Sequence, residues 1–196
     1  MLFEEFVKKN ILGSGENAEV FPSQVYPDRV IKRYDPKHSK RDLQEMLDVT
    51  SKHPEVFGKF FSVDVTRGVV VQEKMNLMPK EHYNKLISFL DGSDLDEFKE
   101  GGLGFKDQAS PFQHDFTTSG VKFDIFYLWM HDSLVDEDTA IINKQIVAAS
   151  EESQLFFSEC KKLCAAACEI LRVHELDFGW DNIGYTKEGE LRFLDY

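Results

Sequence analysis

The chain has 196 residues, with 35 acidic against 23 basic side chains and a formal net charge of −12. At about 100–200 residues per domain this is one domain or two small ones in close contact, and 42% hydrophobic residues with 17 Phe suffice for a packed core. The charge excludes non-specific grip on nucleic acid or anionic membrane, which needs clustered Lys and Arg. MLFEEFVKKN has Glu where a signal peptide needs an apolar run, and no stretch approaches 18 apolar residues, so a cytoplasmic protein with no membrane partner is expected.

In chain order, ILGSGENAEVF reads as two short extended pieces around glycines. RVIKRY is a β-branched strand entered through the turn signal YPD. SKRDLQEMLDVTSK has helical spacing at Leu43, Met46 and Leu47, with Ser39 as N-cap. FFSVDV and GVVVQEKM are two further strands joined at Thr66-Arg67-Gly68. Residues 1–75 therefore read strand, strand, strand, helix, strand, strand. Beyond Met75 the pattern turns helical: HYNKLISFL and SEESQLFFSECKKLCAAACEILRVH carry apolar residues at three- and four-residue steps. Residues 91–135 are acidic, glycine-dotted and aromatic, and GGLGF at 101–105 reads as a plain loop. The chain closes with the strand ELRFLDY after a turn at Lys187-Glu188-Gly189.

Cys160, Cys164 and Cys168 stand four apart on one face of the last helix. An odd number within one helix gives no disulfide framework. A metal stripe is set aside because no His or carboxylate falls at matching steps, leaving small-residue packing as the reading of CKKLCAAACEIL.

Two segments carry chemistry. In Leu12-Gly13-Ser14-Gly15-Glu16-Asn17-Ala18-Glu19-Val20, glycines between strands let backbone N–H groups approach phosphate oxygens. Twelve residues past Val20, Lys32 is embedded in an apolar strand, and a helix carrying Glu45 follows. Near the C-terminus, Asp177 is followed five residues on by Asn182, and Asp195 stands thirteen residues after that.

These residues resemble the protein kinase-like superfamily. Gly13, Gly15, Ala18 and Val20 occupy the positions of its G-x-G-x-x-G-x-V loop, with Ala for the third glycine. Lys32 matches the third-strand lysine that holds the α- and β-phosphates, and Glu45 its helix partner, with Asp42 and Asp48 as competitors. VVVQEKM resembles the strand entering the hinge, which implies Gln72 as gatekeeper and the backbone of Glu73 and Met75 against adenine. Asp177-Phe178-Gly179 spells the family's metal-binding triplet, but Glu159 and Cys164 stand where a catalytic Asp and a metal-binding Asn would precede it. The better match begins the catalytic loop at Asp177, the hydroxyl-orienting base, with Asn182 and Asp195 as the Mg²⁺ ligands. The departures are His174 three residues before Asp177 rather than two, no Arg directly before Asp177, Gly179 where many relatives carry Lys, and Tyr196 in place of Phe. Control through a phosphorylated activation loop is therefore not expected, and His174 reads as a core histidine bracing the loop.

The resemblance implies an α+β, two-lobed fold. Residues 1–75 would form an N-lobe of antiparallel sheet with one helix, and 76–196 a reduced, mainly helical C-lobe holding the catalytic loop and metal aspartate. It implies ATP and Mg²⁺ as cofactors and an ATP-dependent Ser/Thr protein kinase of the compact bacteriophage type, acting on host proteins or itself. The alternatives are a pseudokinase that regulates a host partner, with the acidic charge engaging a basic surface, and a small-molecule kinase. The pseudokinase alternative draws on the chain stopping one residue after Asp195.

Overall fold

The computed structural model describes residues 12–14, 18–34, 40–95, 118–173, 176, 179 and 181–194. It is a mixed α+β structure that divides into two compact units, Met1–Leu77 with Asp181–Tyr196, and Met78–Trp180.

The first unit is built on an antiparallel sheet in the order β1-β2-β3-β5-β4. Its strands are β1 (Gly13–Ser14), β2 (Ala18–Pro22), β3 (Arg29–Tyr34), β4 (Phe60–Asp64) and β5 (Val69–Glu73). RVIKRY forms β3 because its period of two suits a sheet with one buried face. Val30, Lys32 and Tyr34 point inward, while Arg33 is exposed and donates from Nε to Glu19 on β2 at 3.1 Å. On β5, Val70 and Gln72 continue the buried face. Helix α1 (Lys40–Thr50) covers this face through Leu47, which clusters with Ala18, Tyr34 and Val70. Ser39, the expected N-cap, lies outside the described residues. The β4–β5 turn contains Gly68 at φ +64°, a left-handed conformation that glycine adopts without a Cβ clash, and the Gly68 carbonyl accepts from Tyr34 N–H at 2.8 Å.

A second sheet in the same unit has the antiparallel order β6-β7-β8: β6 (Asn76–Leu77), β7 (Ile183–Tyr185) and β8 (Leu191–Phe193). Gly189 at φ +85° makes the expected turn between β7 and β8. One short helix, α2 (Pro54–Phe57), packs on β8. Arg192 Nε donates to the Pro54 carbonyl at 3.1 Å, and the Phe57 and Phe193 rings lie 6.3 Å apart. The boundary falls after Leu77, and Asp181–Tyr196 belongs with the N-terminal sheet unit rather than with the helices that precede it. The reason is local: β7 bonds to β6, the strand that follows β5, and β8 buries Leu191 and Phe193.

The second unit contains α3 (Lys80–Ile87), α4 (Thr118–Met130), α5 (Asp136–Ala148) and α6 (Glu151–Leu171). The two expected helices appear as α3 and α6. Ser150 caps α6, its Oγ accepting from Ser153 N–H at 3.2 Å, with Glu151 and Glu152 in the first turn where the helix dipole favours anions. The helix ends as Arg172 turns left-handed at φ +57°. Many of the phenylalanines gather here. The Phe126 ring lies 4.8 Å from Phe157 and 5.8 Å from Phe156, and Tyr83 meets both Phe126 and Phe156 edge-on. Helices α4 and α5 were not resolved from the sequence. In TSGVKFDIFYLWM apolar residues surround the helix, so no stripe stands out. GGLGF at 101–105 lies outside the described residues. No helix among the described residues is long and apolar enough to cross a membrane.

Candidate functional site

The site follows from β3. An ammonium on an inward-facing strand position is costly unless it finds an acceptor. Lys32 is 6% exposed, stands opposite Val20 on β2 and Val70 on β5, and donates from Nζ to the backbone carbonyl of Leu194. Leu194 is itself fixed by its N–H, which donates to the Asn182 carbonyl at 2.8 Å, closing the mouth of the β7–β8 hairpin. Within the first unit, Lys32, Asn182 and the residue preceding Asp195 therefore converge.

Gly184 makes this approach possible. A Cβ there would stand 3.1 Å from the Asn76 carbonyl oxygen, 3.1 Å from Leu194 Cδ2 and 3.3 Å from Met75 Cβ. Glycine here lets the hairpin carrying Asn182 and Leu194 lie this close to Met75 and β6 without displacing a neighbour.

The glycine segment is a β-hairpin. Gly13 pairs with Val20, Ser14 pairs with Glu19, and Leu12 N–H donates to the Val20 carbonyl at 2.8 Å. Ala18 is buried at 5% and half-buried Val20 is the register partner of Lys32. Gly15 lies outside the described residues. Glu45 is an exposed residue of α1, and Asp48 on the same helix is also exposed and accepts from Gln44. Nothing is described of the Asp42 side chain.

At the expected hinge, Gln72 is 1% exposed and donates from Nε2 to the Phe57 carbonyl at 2.6 Å. Glu73 is held to Lys59 twice: its N–H donates to the Lys59 carbonyl at 2.8 Å, and its carboxylate accepts from Lys59 N–H at 3.2 Å. The Met75 side chain is buried, its Sδ and Cε 3.5 and 3.0 Å from where a Gly58 Cβ would stand. Asp177, His174 and Asp195 lie outside the described residues.

The carboxamide of Asn182 and the carboxylate of Asp195 are hard oxygen donors of the kind Mg²⁺ prefers, and Lys32 adds a desolvated positive charge.

A second cluster, in the helical unit, was not foreseen. His131, just past α4, brings its ring to the cysteines of α6, with Nδ1 3.6 Å from Cys164 Sγ. Ligand atoms of His131, Cys164 and Cys168 all lie within 4.8 Å of one another. The four-residue spacing of the cysteines was visible, but the histidine lies 33 residues before Cys164 on another element. Burial pushes the Cys164 thiol up to about 12, helped by the neighbouring Cys168.

No protein-family model matches the chain, and comparison with curated proteins and with solved structures returns no match.

Proposed function

We propose that this chain is an ATP-dependent phosphotransferase of the protein kinase-like type, with a Ser/Thr protein kinase as its specific form. The observation that carries the reading is the buried Lys32 ammonium on the carbonyl of Leu194, which joins the third strand of the sheet to the residue before Asp195. Three structural features support it: the five-strand order, the glycine hairpin formed by β1 and β2, and the β7–β8 hairpin presenting Asn182 beside Leu194.

In this reading Lys32 neutralises phosphate charge, and backbone N–H groups of the glycine hairpin orient the phosphates. Asp177 aligns the acceptor hydroxyl and takes its proton. Asn182 and Asp195 would hold Mg²⁺, which when bound neutralises charge building on the transferred group. The acceptor is a protein hydroxyl, on a partner or on the chain itself. With a net charge of −12, a partner with a basic surface fits best.

Thermal unfolding with ATP and Mg²⁺ tests the nucleotide site. At 100 times the dissociation constant a ligand of the folded state stabilises by about 2.7 kcal/mol, several degrees for a chain of this size. No shift at millimolar ATP overturns the reading. Labelled ATP then tests transfer: label on protein that is lost in Asp195→Ala establishes it, and nucleotide binding without label leaves a nucleotide-binding pseudokinase.

A further inference from the structure

We propose that His131, Cys164 and Cys168 form a Zn²⁺ site of the three-ligand type in the helical unit, with water in the fourth position. It stands independently of the nucleotide reading, because none of its residues takes part there.

The three ligand atoms stand close enough together to be drawn into a tetrahedral site. Zn–S bonds of about 2.3 Å and Zn–N bonds of about 2.0 Å put sulfur and nitrogen about 3.5 Å apart, and two sulfurs about 3.8 Å apart. His131 Nδ1 and Cys164 Sγ stand at 3.6 Å, and all three ligand atoms lie within 4.8 Å of one another. Drawing the widest edge in takes about 1 Å, within the reach of small side-chain rotations. The four-residue step between Cys164 and Cys168 places both sulfurs on one face of α6, one turn apart.

The histidine tautomer suits a ligand. Its Nε2 lies 3.1 Å from the Leu176 carbonyl oxygen, and a carbonyl only accepts, so Nε2 carries the hydrogen and Nδ1 keeps the lone pair; Cys164 Sγ stands 3.6 Å from Nδ1 and 4.0 Å from Nε2, beside the ring, so the imidazole turns on loading to aim that lone pair at the ion. The Leu176 N–H also lies 3.5 Å from Nε2, but one ring nitrogen cannot donate and accept together, and the shorter contact decides the tautomer. A carbonyl on the far nitrogen is the usual way a metal-bound imidazole is aligned. The Tyr127 ring, 4.5 Å away between centroids, holds the imidazole from the side.

Soft thiolates with one imidazole select Zn²⁺ over Mg²⁺ or Ca²⁺. Cys164 is buried while His131 and Cys168 are partly exposed, leaving a solvent side for the water. The neighbouring Asp132 carboxylate is paired with Lys161. On binding, each S–H bond breaks, the two protons pass to solvent, and the sulfur lone pairs are donated to the ion with no change of oxidation state. Loading would tie α4, α6 and the backbone at Leu176 to one point, immediately before Asp177.

The test uses the full chain, purified reduced and free of metal, and titrated with Co²⁺ as a visible substitute for Zn²⁺. One equivalent is expected to give near-ultraviolet thiolate-to-cobalt charge transfer and the strong visible bands of tetrahedral cobalt, both bleached by Zn²⁺. Cys168 is partly exposed, so Cys168→Ser is the variant that keeps its fold, checked by circular dichroism. It should lose about half the charge-transfer intensity and about tenfold or more in Zn²⁺ affinity. Cys160→Ser, outside the cluster, should bind as the parent does. A plain thiol–imidazole hydrogen bond predicts no charge-transfer band. No band in the parent chain, or an undiminished one in Cys168→Ser, overturns the site.

Discussion

The Lys32 ammonium donates to the backbone carbonyl of Leu194, a residue 162 positions further along the chain. It does so from the buried face of a central strand, where a charge survives only if the fold brings an acceptor to it. The contact ties the strand after the glycine hairpin to the hairpin that carries Asn182, and the reading of the first unit as a nucleotide site turns on it.

Replacing this lysine separates stability from function. Lys32→Met keeps the stem but removes the donor to the Leu194 carbonyl, which costs about 1–3 kcal/mol. The expected result is an unfolding temperature lowered by a few degrees, together with loss of the ATP-dependent shift. A variant that unfolds at lower temperature but keeps the ATP shift would show that Lys32 is structural.

Gly184→Ala puts a methyl group 3.1 Å from the Asn76 carbonyl oxygen and from Leu194 Cδ2. Overpacking of this kind costs about 1–3 kcal/mol. Denaturant melts should show that loss. Because Leu194 is the movable neighbour, ATP-dependent stabilisation should fall as well. A melt unchanged from the parent would mean the hairpin sits further from β6 than the structure places it.

Ser150→Ala removes the acceptor for the Ser153 N–H at the start of the longest described helix. A lost N-cap costs about 1 kcal/mol, and Ser150→Asp should recover most of it, because a carboxylate caps and also suits the dipole. Urea midpoints for the two variants check this, and equal losses in both would argue against the cap.

The Cys160 thiol is wholly buried, and burial drives its pKa well above its ordinary value of 9.0, with the nearby Glu159 and Cys164 adding to the effect. The unfolded chain ionises this group above pH 9.0 while the folded chain keeps it protonated. Stability from this group is therefore full below that pH and declines as pH rises above it. Alkylation followed by mass spectrometry should find Cys160 unmodified at pH 9 in the native chain and modified once urea is added. Modification at equal rates with and without urea would contradict the burial.

The sequence determined most of the first unit. Alternating apolar residues in RVIKRY and VVVQEKM and the glycines at 68 and 189 are local signals, and the strands and turns formed where they stand. The long helix was equally legible, since Ser150 and its apolar steps act within a few turns. Helix α4 was not, because a segment apolar on all sides has no period to detect.

For the candidate sites the division is sharper. The family resemblance named Lys32, Asn182 and Asp195, but a strand lysine in a one-dimensional string is as readily a solvated edge residue. Only the tertiary structure decided that Lys32 is buried, and that its acceptor is Leu194. It also decided that Asp181–Tyr196 packs with the N-terminal sheet unit. The cysteine cluster shows the same limit. Cys164 and Cys168 share a helix face by sequence, whereas His131 reaches them only because two helices separated in the chain pack together. Local periodicity fixes which way a side chain faces on its own element. Which partner it meets depends on contacts between distant segments, and those exist only once the core has closed.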